Sequence, residues 1–140
     1  MSAKFRMPLE VRWGDMDAFG HVNSGAYLAY LEEARVRWMD SVPSHWQSDE
    51  TGPVVANISL NYRHAIHWPA EIEVTLKALS PGRSSIKLEH EIRAQVNPPE
   101  ENPGQGTLYA DATVTLVWID KNSGDSVPLP GAIRELAAKD

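Results

Sequence analysis

Arg12-Trp13-Gly14-Asp15-Met16-Asp17-Ala18-Phe19-Gly20-His21-Val22-Asn23-Ser24 packs ionisable side chains, two glycines and a helix start between two hydrophobic elements, the make-up of a catalytic loop. Ahead of it, Phe5, Met7, Leu9, Val11 and Trp13 alternate with Arg6, Pro8, Glu10 and Arg12, the period-two pattern of a half-buried strand. Behind it, Gly20 admits unusual torsions and Asn23 or Ser24 can cap a helix. Tyr27, Leu31, Ala34 and Trp38 then follow at helical spacing, which predicts a long, mostly apolar helix over about 24–40. The loop therefore sets Asp15 and Asp17 beside a helix N-terminus, where free N–H groups and the macrodipole favour developing negative charge.

Four further strands follow from the same alternation. Val54, Ala56, Ile58, Leu60 and Tyr62 share one predicted face. Ile72, Val74 and Leu76 form a second strand, joined through the turn Ser80-Pro81-Gly82-Arg83 to Ile86, Leu88, His90 and Ile92, so these two should make a hairpin. The last strand runs from about Thr107 to Ile119. Pro98, Pro99 and Pro103 with Gly104 and Gly106 predict an irregular loop before it, Asp120 to Gly124 a turn after it, and Pro130 to Ala138 a short helix. One amphipathic antiparallel sheet and one long apolar helix have one economical arrangement, an α+β fold in which a curved sheet wraps around the helix and buries it. The polar face of that sheet is exposed unless it meets another subunit.

Composition bounds the function. With 42% hydrophobic residues, 140 residues make one ordinary core, so residues 1–140 are expected to form a single domain. Thirteen Lys and Arg against 19 Asp and Glu leave a formal charge of −6, which argues against nucleic acid and against a polybasic membrane patch. Neither a membrane-spanning apolar run nor the apolar core of a signal peptide is present, so the expected location is cytoplasmic. The lack of cysteine excludes disulfides, thiolate catalysis and sulfur-based zinc sites. His64 and His67 fall on opposite faces if the strand continues, with no carboxylate to complete a site, so no metal is expected. No glycine-rich phosphate loop and no Gly-x-Ser-x-Gly elbow is found, and no cofactor is implied.

The entry Arg12-Trp13-Gly14-Asp15-Met16-Asp17, the helix approach Gly20-His21-Val22-Asn23 and the helical run Tyr27-Leu28-Ala29-Tyr30-Leu31-Glu32-Glu33-Ala34-Arg35 resemble the hotdog-fold acyl-CoA thioesterases of the 4-hydroxybenzoyl-CoA thioesterase-like group. The strand pattern extends the resemblance over nearly the whole chain. It implies hydrolysis of an acyl-CoA to a free carboxylic acid and CoA. It also implies a homodimer or homotetramer (a dimer of dimers) with active sites along the subunit interface.

In similar enzymes the second carboxylate of the loop is catalytic, here Asp17. Chemistry agrees: a thioester carbonyl against helix-start N–H groups around Asn23, Ser24 and Gly25 would have its oxyanion stabilised, one such donor being worth roughly 3 kcal/mol of barrier. Asp17 could attack that carbonyl to give a mixed anhydride, or activate a water as general base. His21 and Asn23 could bind the thioester oxygen or orient the water; their alternative role is to close the loop onto the helix. Asp15, the second candidate for the catalytic carboxylate, is expected instead to shape the loop or pair with Arg12. Glu32 and Glu33, where another hotdog subgroup carries its carboxylate, read more simply as helix-surface ion pairs. Tyr27 is expected in the pocket wall.

Coenzyme A needs cations for its phosphates. Arg83, beside Ser84 and Ser85 in the hairpin turn, and Arg63, followed by His64, are the candidates. The segment Ser41 to Pro53, with Trp46, is expected to cover the pocket mouth. Two other readings of the chain stay open. One is a hotdog enoyl-CoA hydratase using Asp17 with His21, and the other is a non-catalytic module that binds acyl-CoA or acyl carrier protein.

Overall fold

The computed structural model describes residues 5–42, 45–96 and 106–139. In chain order it contains β1 (Phe5–Glu10), a single 3-10 turn (Trp13–Asp15), α1 (Ser24–Met39), β2 (Thr51–Tyr62), β3 (Glu71–Ala78), β4 (Ser85–Ala94), β5 (Leu108–Asp120) and α2 (Gly131–Ala138). The strands form one antiparallel sheet in the order β1-β3-β4-β5-β2. One sheet and two helices make a hotdog-like α+β arrangement. The predicted β3–β4 hairpin is present, with Ile72 opposite Ala94 and Ala78 opposite Leu88. The proline-rich loop expected around Pro98 to Gly104 lies outside the described residues.

The 16-residue α1, about 24 Å long at 1.5 Å per residue, lays one face on the sheet. Its first half, through Tyr27, Tyr30, Leu31 and Ala34, packs with Met7, Ile72, Val74, Ile92 and Ala110. Its second half, through Trp38 and Met39, joins Leu76, Leu88, Val114, Leu116 and Trp118, and Ile133 and Ala137 of α2 close that end. Each large apolar side chain fully buried here stabilises the fold by roughly 1.5–3 kcal/mol. No helix among the described residues is long and apolar enough to cross a membrane.

Two details differ from the sequence reading. β1 stops at Glu10, and Trp13 opens the 3-10 turn, 74% exposed, instead of extending the strand's apolar face. In β2 the register against β5 shifts between Val55 and Asn57, so Pro53 and Val55 stand opposite core residues Trp118 and Leu116 while Val54 stands opposite Val117. A bulge at Ala56 inserts one residue and reverses the alternation on its N-terminal side. Ala56 and Val54 thus leave the face that Ile58, Leu60 and Tyr62 occupy. The free edge of β2 is a sheet edge, and Val54, Val55 and Tyr62 are all exposed along it.

Candidate active site

The loop between β1 and α1 is folded back on itself by its own backbone. Met16 bridges Val22, the Asp17 N–H donates to the His21 carbonyl at 3.0 Å, and the Gly20 N–H donates to the Asp17 carbonyl at 3.2 Å. Gly20 turns the chain at φ +87°, a conformation that side-chain-bearing residues rarely adopt. The loop is clipped to the segment after β2 by the Val22 N–H on the Ile66 carbonyl at 2.8 Å and by His67, whose Nδ1 lies 3.2 Å from the Gly20 carbonyl. β2 ends at Tyr62, so His64 and His67 belong to an irregular segment instead of a continuing strand. No group of three or more metal-ligating side chains occurs among the described residues.

Asp15 has the structural role expected of it. Its carboxylate accepts from the Tyr30 hydroxyl at 2.7 Å, the Arg12 N–H at 3.2 Å and the Arg12 guanidinium at 3.3 Å. Burial opposes its charge, but these donors outweigh burial and hold the carboxyl below its ordinary value. Tyr30→Phe is expected to lower the unfolding free energy by about 2 kcal/mol at neutral pH, the scale of a hydrogen bond to a charged group. Urea unfolding should show that deficit shrinking as pH falls through the range where Asp15 takes up its proton.

Asp17 is differently placed. Its Oδ1 accepts from the Phe19 N–H at 2.9 Å and lies 3.9 Å from His21 Nδ1, while Oδ2 has no partner among the described residues. His21 Nδ1 sits 3.3 Å from the Val22 carbonyl, which can only accept, so in this contact the proton is on Nδ1 and Nε2 is left as an acceptor. Asp17, His21, Ser24 and Tyr27 together line an open pocket of about 430 Å³. Phe19, Tyr62, Arg63 and His64 complete its wall.

At the helix start the three expected donors divide. The Asn23 N–H is taken by the Asp15 carbonyl at 2.8 Å and the Gly25 N–H by Asn23 Oδ1 at 2.7 Å. The Ser24 N–H has no protein acceptor among the described residues and is the donor left for a ligand oxygen. Asn23, outside the pocket lining, caps α1 with its side-chain oxygen. Asn23→Ala is expected to lower stability by about 1 kcal/mol, read as an earlier urea midpoint at unchanged slope.

Tyr62 and Phe19 are pocket residues that the sequence reading did not single out. Tyr62 donates its hydroxyl to the Ser24 carbonyl at 2.9 Å and meets Tyr27 edge-to-face with centroids 4.9 Å apart, a contact worth about 1 kcal/mol beyond area burial. Arg63 is in the pocket wall but forked onto Asp111, with Nε at 2.9 Å and Nη2 at 3.3 Å. The fork draws the Asp111 carboxyl below its ordinary value and raises the guanidinium above its own. His64 reaches the Leu108 carbonyl through Nδ1 at 3.0 Å.

Arg83, Ser84 and Ser85 are not brought to this pocket within one chain. Ser85 pairs with Val117, whereas Tyr62 pairs with Ala110, seven positions away along β5, or roughly 23 Å. Arg134 ties that turn down through the Gly82 and Arg83 carbonyls at 2.7 and 2.9 Å. Trp46 also departs from expectation: it packs beside Trp38 and Trp118, and its carbonyl accepts from Trp118 Nε1 at 3.1 Å, toward the far end of α1 from the pocket. Glu33 is the helix-surface ion pair foreseen, 2.6 Å from Arg37.

The chain matches the family model of the thioesterase-like superfamily over residues 11–136. It is 32% identical to the long-chain acyl-CoA thioesterase FadM of Escherichia coli over 129 residues, 91% of this chain and 92% of that protein. Among solved structures it resembles a proposed acyl-CoA thioesterase from Xanthomonas campestris, with 44% identity, a TM-score of 0.71 and coverage of 86% and 97% of the two chains. It also resembles a Thermus thermophilus thioesterase solved with coenzyme A and zinc, with 32% identity, a TM-score of 0.74 and coverage of 94% and 95%. The match spans the loop, the helix and all the strands after it: the chain belongs to the thioesterase-like superfamily and is by that kinship a thioester hydrolase.

Proposed function

We propose that this protein hydrolyses acyl-CoA thioesters to the free acid and CoA in the pocket between the Asp17 loop and the start of α1. The observation that carries this reading is the meeting, in one pocket, of a carboxylate with an unpartnered oxygen and a helix-start N–H with no protein acceptor. The kinship with FadM supports the acyl-CoA substrate. The thioester oxygen rests on the Ser24 N–H, where the helix dipole offsets the charge that develops on it. Either Asp17 Oδ2 attacks the carbonyl carbon, the C–S bond breaks to release the CoA thiolate and water opens the resulting mixed anhydride, or Asp17 takes a proton from a water whose attack expels the thiolate; in both routes His21 Nε2 accepts a hydrogen bond from the water. Asn23 keeps the helix start in place. Tyr27 walls the acyl group. Arg63, with Nη1 outside its fork, is the cation at hand for CoA; Arg83, Ser84 and Ser85 serve it only from a neighbouring subunit.

In this reading residues 1–140 form a single cytoplasmic hotdog domain, its sheet wrapped around α1. It works as a homodimer or a dimer of dimers. The unpaired, apolar edge of β2 supports self-association, since an open edge is a template for another strand.

Release of CoA thiol from short-chain, long-chain and aromatic acyl-CoAs tests the proposal. Turnover of at least one class is expected. Binding without thiol release from any of them would replace hydrolysis by a binding module, and a 3-hydroxyacyl product with the thioester intact would replace it by hydration.

A further inference from the structure

His67 stands on a segment that the fold holds from several sides. The Ile66 side chain beside it is fully buried, the Ile66 carbonyl accepts from the Val22 N–H at 2.8 Å, and the Ala70 carbonyl accepts from the Val11 N–H at 3.0 Å. From there the imidazole reaches the Asp17 loop twice. Its Nδ1 lies 3.2 Å from the Gly20 carbonyl, and its ring meets the ring of His21 edge-to-face, with centroids 6.4 Å apart. A carbonyl only accepts, so in this contact the proton is on Nδ1 of His67. Both contacts are made within one chain and need no residue from a second subunit.

Gly20 is the point of the loop that most needs holding, since it has no Cβ to restrict its torsions and turns at φ +87°. Its N–H is tied to the Asp17 carbonyl at 3.2 Å. Its carbonyl, which swings with the torsion leading into His21, is tied by His67. We propose that His67 is a positioning residue for the hydrolysis of acyl-CoA, an inference that rests on the hydrolytic reading of the Asp17 pocket: it fixes the Gly20–His21 peptide plane and the His21 ring, so that Nε2 of His21 faces the attacking water.

Position and chemistry assign His67 this indirect role. Asp17, His21 and Ser24 line the pocket and His67 does not, so it acts through His21 and not on the thioester. It is exposed, and one hydrogen bond at an exposed residue is a small part of fold stability. Rate is far more sensitive: a group misplaced by about 1 Å costs on the order of a hundredfold. The His21 ring has two further supports, the Val22 carbonyl 3.3 Å from Nδ1 and the ring of Phe19 stacked on it with centroids 6.4 Å apart. The Val22 carbonyl fixes the tautomer, and the rings of Phe19 and His67 fix the plane.

Steady-state thiol release by His67→Gln and His67→Asn tests this role. The Asn amide nitrogen stands where Nδ1 stands and keeps the donor, while the Gln amide nitrogen stands nearer the place of Nε2 and loses it. His67→Gln is expected to lower kcat about tenfold, with KM within about twofold and an unchanged urea midpoint, and His67→Asn to stay within about threefold of the wild type. In a His21→Ala background, with no ring to position, His67→Gln should change kcat by less than about twofold. A wild-type kcat in His67→Gln overturns the inference, as do equal losses in the Asn and Gln variants, a loss carried by KM, or a full loss that persists without the His21 ring. If His67→Gln fails to fold, ¹⁵N spectra of the wild type decide: a proton on Nδ1 of His67 supports the contact, and one resting on Nε2 alone overturns it. A wild type that releases no thiol from any acyl-CoA removes the hydrolytic reading and the role of His67 together, whereas an active wild type with an unaffected His67→Gln removes the role of His67 alone.

Discussion

Asp17→Asn is expected to lower kcat/KM for acyl-CoA hydrolysis at least about a hundredfold, a loss of about 2.7 kcal/mol of transition-state stabilisation. Asparagine is nearly isosteric and keeps an oxygen to accept from the Phe19 N–H, so the loop retains the turn that Asp17 makes now. What disappears is the charge and basicity at Oδ2, which has no protein partner among the described residues. The loss should therefore fall on kcat, with KM little changed, because ground-state contacts of the thioester with the Ser24 N–H are untouched. Steady-state thiol release by both proteins, at matched urea midpoints, checks this. A variant within threefold of wild type would remove Asp17 from the reaction. A single turnover in ¹⁸O-water tests for a covalent role of Asp17. A mixed anhydride opened at the protein carbonyl leaves label on Asp17, whereas a general base sends all of it to the released acid.

The second large effect is on stability and comes from His90. Its ring points to the core face of β4, 2% exposed, with Nδ1 3.0 Å from the Thr75 carbonyl and Nε2 buried without a partner. Burial pushes its pKa down to about 4; the Thr75 carbonyl acts in the opposite direction, and the charge of Arg35 adds to the fall. In the unfolded chain the same group titrates near 6.5. Between those values the unfolded state binds a proton that the folded state refuses, so stability is intact above about pH 6.5 and declines as pH falls toward 4. The integrated loss is about 3 kcal/mol, a large share of the stability of a domain this size. Carboxylates held low by their donors, Asp15 among them, lose their contribution only at lower pH, as they protonate below the ordinary carboxylate value. Urea unfolding between pH 7 and 4 should show the slope, and His90→Met should flatten it. An NMR titration placing the native His90 near 6.5 would refute the assignment.

Much of this architecture is legible in the chain because its elements are strongly patterned. The hairpin of β3 and β4, the limits of α1 and the cap at Asn23 follow from period-two alternation, helical spacing and an amide side chain before a helix. Gly20 reads as a required turn for the same local reason. Where the pattern is interrupted, reading fails. A single inserted residue at Ala56 turned Val54 to the opposite face, since a strand's two faces alternate with a period of two and one extra residue exchanges them. Trp13, which fits the alternation, is exposed because β1 has already given way to the turn that presents Asp15.

The candidate site divides along the same line. Asp17, His21 and Ser24 are neighbours in sequence, and a short loop closed by local hydrogen bonds keeps them neighbours in space. Tyr62, Arg63 and His64 reach them from some 40 residues away. They do so only because β2 runs antiparallel to β5 in the register that ends it beside the start of α1. That register also leaves the turn of Arg83, Ser84 and Ser85 at the other end of the sheet. Local sequence determined the strands, the helix and the loop chemistry, because backbone torsion preferences and side-chain periodicity act over a few residues. The tertiary structure alone decided which distant side chains share the Asp17 pocket and that Arg35 is buried, because strand register and desolvation are properties of the packed whole.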